Sequence, residues 1–265
     1  MNGFEHFPET YNAALHTRTL GRALAYFDEL DSTNTYCKRR AAAGDAPEGL
    51  TAVALLQTAG RGRLGRVWES RQGDGLYISF LTPVLPGELL PLVPIAVGLA
   101  VAEAVEAEAA IPDMGIKWPN DIIAGSRKLA GILCEGTAGR AVCGIGVNLS
   151  QSREDFLSAG LPHATSLLME SAAVPSAARL AAAIANSLEP RLDALRREGA
   201  AALVPDFRRR CVSIGRRVRA ISAAGETDGT AVDIDEAGRL VIDTGTGRIA
   251  VSAGEVQLRT PEGYL

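Results

Sequence analysis

Thr51-Ala52-Val53-Ala54-Leu55-Leu56-Gln57-Thr58-Ala59-Gly60-Arg61-Gly62-Arg63-Leu64-Gly65-Arg66 carries an apolar block of strand length directly into a glycine- and arginine-rich loop. Residues 51–56 have the composition of a buried strand. From Gly60 onward the chain is too rich in glycine for a helix and too basic for a core. It reads as a loop whose backbone and guanidinium groups can close on an anion. A second strand, Leu76-Tyr77-Ile78-Ser79-Phe80-Leu81, follows. The loop is not a P-loop, because the Gly-Lys-Ser/Thr ending is missing.

The same reading extends outward on both sides. Residues 1–20 are polar and irregular, with at most a short helix. Leu24-Ala25-Tyr26-Phe27 has the character of a first strand. Asp31-Ser32-Thr33-Asn34 offers caps for a helix to about Ala43, which Gly44 can end. Leu89 to about Ala109 reads as a long helix, with Leu92, Ile95, Leu99, Ala102 and Val105 on one stripe. Glu103, Glu106 and Glu108 lie mostly off that stripe. Gly115–Lys117, Leu129–Cys134 and Val142–Val147 read as an antiparallel set. Residues 175–211 read as helical, with a break or kink at Pro190. Beyond Cys211 the runs become short and glycine-punctuated, which indicates a small β-barrel. The expected domains are residues 1–212 and 213–265.

Bulk properties narrow the function classes. The chain has 265 residues, a net charge of −4 and 47% hydrophobic residues, enough for a real core without a general nucleic-acid-binding face. Cysteines 37, 134, 143 and 211 have no metal spacing, and a reducing cytoplasm is their natural compartment. No signal peptide and no charge-free bilayer-spanning run is read. The histidines at 6, 16 and 163 are scattered and receive no role.

Further motifs sit at strand ends. Lys117-Trp118-Pro119-Asn120-Asp121 joins a strand end to a turn that can hold an ammonium, an amide and a carboxylate together, suited to nucleotide phosphates or a hydrated Mg²⁺. Trp118 itself reads as core. Lys128, in Arg127-Lys128-Leu129-Ala130-Gly131, is either a solvated edge lysine or a cation beside a strand that Gly131 opens to a ligand. Gly144-Ile145-Gly146-Val147-Asn148 places two glycines inside a strand, for a packing or a ligand reason. A non-catalytic module using the Gly/Arg loop for nucleic acid remains a second reading, disfavoured by the acidic net charge.

These stretches, with Ser32-Thr33-Asn34 and Gln57 through Arg63, occur in an order that closely resembles the biotin–protein ligases, from about Leu24 to Leu258. The resemblance implies an α+β fold: a mixed β-sheet flanked by helices, similar to class II aminoacyl-tRNA synthetases, with a small C-terminal SH3-like barrel. It implies ATP-dependent activation of biotin to biotinyl-5′-AMP, then transfer to a lysine of a biotin carboxyl carrier protein such as that of acetyl-CoA carboxylase. Lipoate–protein ligase is the alternative of related fold; polar Ser32, Thr33 and Gln57 favour biotin.

By the same likeness, Ser32, Thr33, Asn34, Gln57, Gly60, Arg61, Gly62, Arg63, Lys128 and Gly131 would bind biotin. Arg63, Arg66, Trp68, Lys117, Asn120, Asp121, Lys128 and Asn148 would serve ATP, Trp68 as a candidate to stack on adenine. Lys128 and Arg63 would be catalytic. Mg²⁺ would arrive hydrated on the phosphates, near Asp121, with no dedicated protein cage. Leu64 stands where many relatives carry another basic residue. The stretch before the first strand is too short for the winged helix-turn-helix of some relatives, so no DNA partner and no membrane are expected. The oligomeric state, a homodimer included, is left open.

Overall fold

The computed structural model describes residues 4, 6–112, 114–171, 174–222, 225–252 and 257–259. Its order is α1 (Phe7–Ala14), β1 (Ala23–Leu30), α2 (Thr33–Ala42), β2 (Leu50–Gln57), β3 (Gly75–Leu81), α3 (Val93–Ala109), β4 (Gly115–Lys117), β5 (Asp121–Ala124), β6 (Arg127–Thr137) and β7 (Arg140–Asn148). Then come α4 (Arg153–Ser158), α5 (Leu167–Glu170), α6 (Ala177–Glu198), α7 (Val204–Arg210), β8 (Arg217–Ser222), β9 (Gly225–Ile234), β10 (Leu240–Asp243), β11 (Arg248–Val251) and β12 (Gln257–Arg259).

β1 to β7 form one sheet in the order β1-β2-β3-β7-β6-β5-β4. Only β1 and β2 pair in parallel, joined by the crossover through α2; the remaining pairs are antiparallel. The sheet is therefore mixed and helix-flanked, as expected. Alternation along each strand sends neighbours to opposite faces. Leu76, Ile78 and Phe80 of β3 and Ile145 and Val147 of β7 join the main core with α3 and α6. Leu81 and Val142 pack with Cys37 of α2 on the other side. That second face also carries Ser79, Gly144, Gly146, Gly131 and Leu133. It is the face left open for a ligand.

α3 is buried nearly all round, from Val93 to Val105. With the 3-10 turn before it, Gly87–Ala109 is apolar and long enough to cross a bilayer by length and composition, but it carries Glu88, Glu103, Glu106 and Glu108 and so is not a charge-free run. Its apolar side chains instead fill the core, and Glu106 and Glu108 pair with Arg210 (2.5 Å) and Arg179 (3.0 Å). α6 is continuous through Pro190, so the expected break does not occur. Pro190 is exposed, and the flanking Leu188, Leu192 and Leu195 are buried. Core packing of that stripe outweighs one missing hydrogen bond on the solvent side.

β8 to β12 form an antiparallel sheet in the order β11-β10-β9-β8-β12, consistent with an SH3-like unit. Val218, Ala220, Ala231, Ile234, Leu240 and Ile242 continue the main core without a break. The strand expected at Arg248–Val251 is present, and residues 253–256 and 260–265 of the expected second domain lie outside the described residues.

Candidate active site

One cavity of about 520 Å³ opens on the second face of the sheet. Such a volume suits a ligand of drug or cofactor size. Its walls are the N-terminus of α2, the loop between β2 and β3, the β4–β5 turn, β6, β7 and α4. Among the described residues, six basic side chains line it (Arg61, Arg63, Arg66, Arg71, Lys117 and Lys128) against three acidic ones (Glu69, Asp121 and Asp155). A chain of negative net charge thus concentrates positive charge in one hollow, which selects for anions.

The Gly/Arg loop is a short flap rather than an irregular loop. Trp68 N donates to Gly60 O (3.0 Å), Gly62 N to Arg66 O (2.7 Å), and Arg61 bridges to Val67. A 3-10 turn, Arg63–Gly65, makes the tip, where Leu64 and Gly65 take left-handed backbone (φ 56° and 74°). Gly60 does not line the cavity. A side chain there would strike the carbonyl of Trp68, so Gly60 serves the foot of the flap. The other expected ligand-binding residues all line the cavity.

The flap tip reaches the far strand ends. Arg63 Nη1 donates to Asn120 Oδ1 at 3.0 Å, and Asn120 Nδ2 donates to Ile132 O at 2.9 Å. Beside it, Lys128 Nζ pairs with Asp121 Oδ1 at 2.7 Å. Asn120 and Asp121 are neighbours in the chain, so Arg63 and Lys128 meet at one place despite coming from different elements. Burial lowers the pKa of Arg63, Arg66 acts in the same direction, and Asp121 opposes them. A guanidinium held in that state remains charged and gains from an arriving anion.

A hydrogen-bond chain furnishes the α2 end. Ser32 caps α2, its hydroxyl accepting from Thr35 N. Gln57 Oε1 accepts from Thr33 N (2.9 Å) and Thr33 Oγ1 (3.1 Å). Ser79, which sequence reasoning passed over as an ordinary strand residue, bonds Thr33 Oγ1 (2.7 Å) and Asn34 Oδ1 (2.6 Å). It is a polar residue with no exposure in an apolar strand; the inversion of polarity at that position was its one signal. At the other end Asn148 Nδ2 donates to Thr165 O at 2.9 Å. Glu135, Gln151 and Phe156 were also missed; Gln151 and Phe156 line the cavity from a loop and a short helix with no motif of their own.

The glycines of β6 and β7 explain the position of Trp68. A Cβ on Gly146 would lie 2.6 Å from Cζ2 and 2.7 Å from Nε1 of Trp68, and one on Gly131 would lie 2.5 Å from Cζ3. The indole thus rests flat on two bare strands. Lys128 Nζ sits 5.3 Å from the ring centroid, within cation–π range. Gly146→Val is expected to lift the indole off the sheet, at a cost of about 1–3 kcal/mol. Tryptophan emission checks this: a red shift is expected, since the chain has two tryptophans and Trp118 is buried. Unchanged emission would place the ring elsewhere.

No cluster of three or more His, Cys, Asp or Glu side chains able to hold a metal occurs among the described residues. A magnesium ion carried in by phosphates needs no such cage, and usually keeps its waters while touching one or two carboxylates. Asp121, set in the cavity beside Asn120, fits that limited demand.

Comparison with known proteins gives a consistent picture. Residues 26–152 match the model of the biotin/lipoate A/B protein ligase family, and residues 213–259 that of the biotin protein ligase C-terminal domain. The chain is similar to the biotin–[acetyl-CoA-carboxylase] ligase of Mycobacterium tuberculosis, 38% identical over 240 residues, covering 89% of this chain and 88% of that one. It is 33% identical over 250 residues to the bifunctional ligase/repressor BirA of Bacillus subtilis, covering 92% and 76%. Among solved structures, the biotin protein ligase from Aquifex aeolicus in complex with biotin and ATP superposes with a TM-score of 0.77 at 29% identity, covering 90% of this chain and 99% of that one.

Proposed function

The chain belongs to the biotin protein ligase family, and from that premise we propose how its cavity joins two acids that repel each other. The enzyme activates biotin with ATP and transfers it to a lysine of a biotin carboxyl carrier protein. In the first step a biotin carboxylate oxygen bonds to the α-phosphorus, the bond from that phosphorus to the bridging oxygen breaks, and pyrophosphate leaves. In the second, a neutral lysine amine attacks the biotinyl carbonyl carbon, the bond to AMP breaks, and the amine loses a proton.

One observation carries the assignment of residues: Arg63 and Lys128 converge on adjacent residues of one turn. Cations fixed there reduce the repulsion between carboxylate and phosphate and favour the charge that gathers on the α-phosphoryl oxygens. In this reading the hydrogen-bonded set Ser32, Thr33, Asn34 and Gln57 holds the ureido ring, and Lys117, Asn120 and Asn148 hold the nucleotide. Trp68 lies low on the sheet, offering an aromatic wall between the two. Magnesium, when bound, neutralises the leaving pyrophosphate; Asp121 is the residue placed to touch its water shell. The flap from Arg61 to Arg66 keeps water from the mixed anhydride. Residues 1–212 would form the catalytic domain and 213–265 the C-terminal domain. The four cysteines are unpaired, as a reducing compartment keeps them, which supports a cytoplasmic location.

The test is direct. Labelled biotin, Mg-ATP and a biotin carrier domain are incubated with the enzyme, and label is sought on the carrier; lipoate replaces biotin in a parallel reaction. Label from lipoate alone would reverse the substrate assignment. Arg63→Gly removes the bond from flap tip to Asn120. It is expected to form biotinyl-AMP still, but to release it at least about tenfold faster, the worth of one charged hydrogen bond. Retention equal to wild type would refute the role given to the flap tip.

A further inference from the structure

A second ionic cluster lies at the other foot of the flap, away from the phosphate end. Glu135 of β6 is largely covered, its side chain 15% exposed. Its Oε1 pairs with Lys38 Nζ of α2 at 2.7 Å and with Arg61 Nη1 of the flap at 3.4 Å. Its Oε2 accepts from Asn34 Nδ2 at 3.0 Å. Asn34 Nδ2 also donates to Leu133 O at 3.1 Å, while Asn34 Oδ1 accepts from Ser79. One carboxylate therefore binds, with Leu133 and Ser79, the amide of a pocket residue and also holds the first arginine of the flap.

We propose that Glu135 is a positioning residue for biotin: by binding Asn34 and Arg61 together, it couples the polar end of the pocket to closure of the flap. The proposal rests on the biotin-activation reading. Asn34 is confined from below as well, since a Cβ on Gly144 would lie 2.8 Å from its Cγ. The amide has one orientation that satisfies all of its neighbours, and Glu135 supplies the charged acceptor of that set beside the carbonyl of Leu133 and the hydroxyl of Ser79. Without the negative charge, Lys38 and Arg61 face each other as like charges across a half-covered site, and the flap foot moves off. Burial opposes ionisation of Glu135, yet the bonds from Lys38 and Asn34 and the charge of Arg61 outweigh it and leave its pKa below the ordinary value. The carboxylate is thus charged throughout the neutral range.

The effect is local to biotin. The nucleotide end is anchored separately, through Arg63 on Asn120 and Lys128 on Asp121. Glu135→Gln keeps the shape and one acceptor for Asn34 but removes the charge. It is expected to raise the KM for biotin and the rate of biotinyl-AMP escape each by about tenfold, while the KM for ATP moves by less than about twofold. Glu135→Asp, which keeps the charge, is expected to fall between wild type and Glu135→Gln. Lys38→Met removes the competing cation, leaves Arg61 on Glu135, and is expected to hold the biotin KM at or below the wild-type value.

The experiment measures pyrophosphate release against biotin and against ATP for wild type and the three variants, with adenylate escape followed in parallel and thermal unfolding as the control. If wild type releases no pyrophosphate from biotin and ATP, the reading of the site is wrong. If wild type is active and Glu135→Gln matches it in biotin KM and escape, the inference falls. It falls equally if the KM values for biotin and ATP rise together, or if Lys38→Met raises the biotin KM as much as Glu135→Gln; either pattern makes the cluster a folding element only.

Discussion

Lys128→Ala is expected to lower biotin-dependent pyrophosphate release by at least about 100-fold, the usual consequence of removing one fixed donor from a charge-developing transition state. The lysine lies in the cavity wall, 2.7 Å from Asp121 and above the Trp68 ring. It is placed by β6, whose pairing with β5 sets Lys128 opposite Ile123, from where its side chain reaches Asp121 at the start of β5. An ammonium held by a strand and an ion pair requires little rearrangement when charge shifts from carboxylate to phosphoryl oxygen. Its removal leaves Asp121 facing the same anions with no cation between, so repulsion replaces attraction. Lys128→Arg is expected to recover little, because a planar fork does not occupy the place of a point charge. The fold should survive, as Lys128 is partly exposed and outside the core. Pyrophosphate release near the wild-type rate from a folded Lys128→Ala protein would remove the lysine from the reaction.

The largest effect on stability is expected at Trp118. Truncation of a fully buried tryptophan to alanine costs about 3–5 kcal/mol, a large share of the total of about 5–15 kcal/mol that holds most domains. Trp118 is 2% exposed. Its indole Nε1 donates to Gly238 O at 3.1 Å, and its backbone N donates to Ser213 Oγ at 3.1 Å. The side chain is thus a peg between the seven-stranded sheet and the C-terminal sheet. Trp118→Ala is expected to lower the unfolding midpoint by roughly 10 °C or more and to reduce activity with it, since Lys117, Pro119 and Asn120 line the cavity. Trp118→Phe keeps most of the ring and orphans one carbonyl, at a cost of about 1–3 kcal/mol. Unfolding of the alanine variant at the wild-type temperature would show that the C-terminal sheet does not depend on this seat.

Some of the architecture was legible because its physics is local. The Ser32 cap, the stop at Gly44, the strand runs and the long apolar α3 follow from capping, glycine conformation and periodicity within a few residues. The Gly-turn rhythm after Cys211 likewise marked the second sheet. β5 was missed because Asp121-Ile122-Ile123-Ala124 is only four residues long and follows a Pro-Asn-Asp turn. Its one signal was Gly125-Ser126 ahead of Arg127, a two-residue hairpin turn. Pro190 does not break α6 because the burial of Leu188, Leu192 and Leu195, which lies outside any local penalty, holds the helix together. Gly60 stands beside the carbonyl of Trp68, which leaves no room for a side chain there, a contact that only the pairing of the two flap arms creates.

The candidate site divides in the same way. Order and identity of the motifs named its cations, amides and glycines, since anion binding needs those groups whatever holds them. Ser79 is marked only by its polarity in an apolar strand, Gly131 and Gly146 only as glycines inside strands, and Glu135 by nothing local; none of these marks names a partner. They matter through contacts with residues 45 to 101 positions away for the hydrogen bonds of Asn34. The chain alone therefore determined which elements form and which chemistry is present. Folding decided what stands opposite what, because a strand's register and a flap's closure arise from packing summed over the whole sheet, a sum that no short stretch contains.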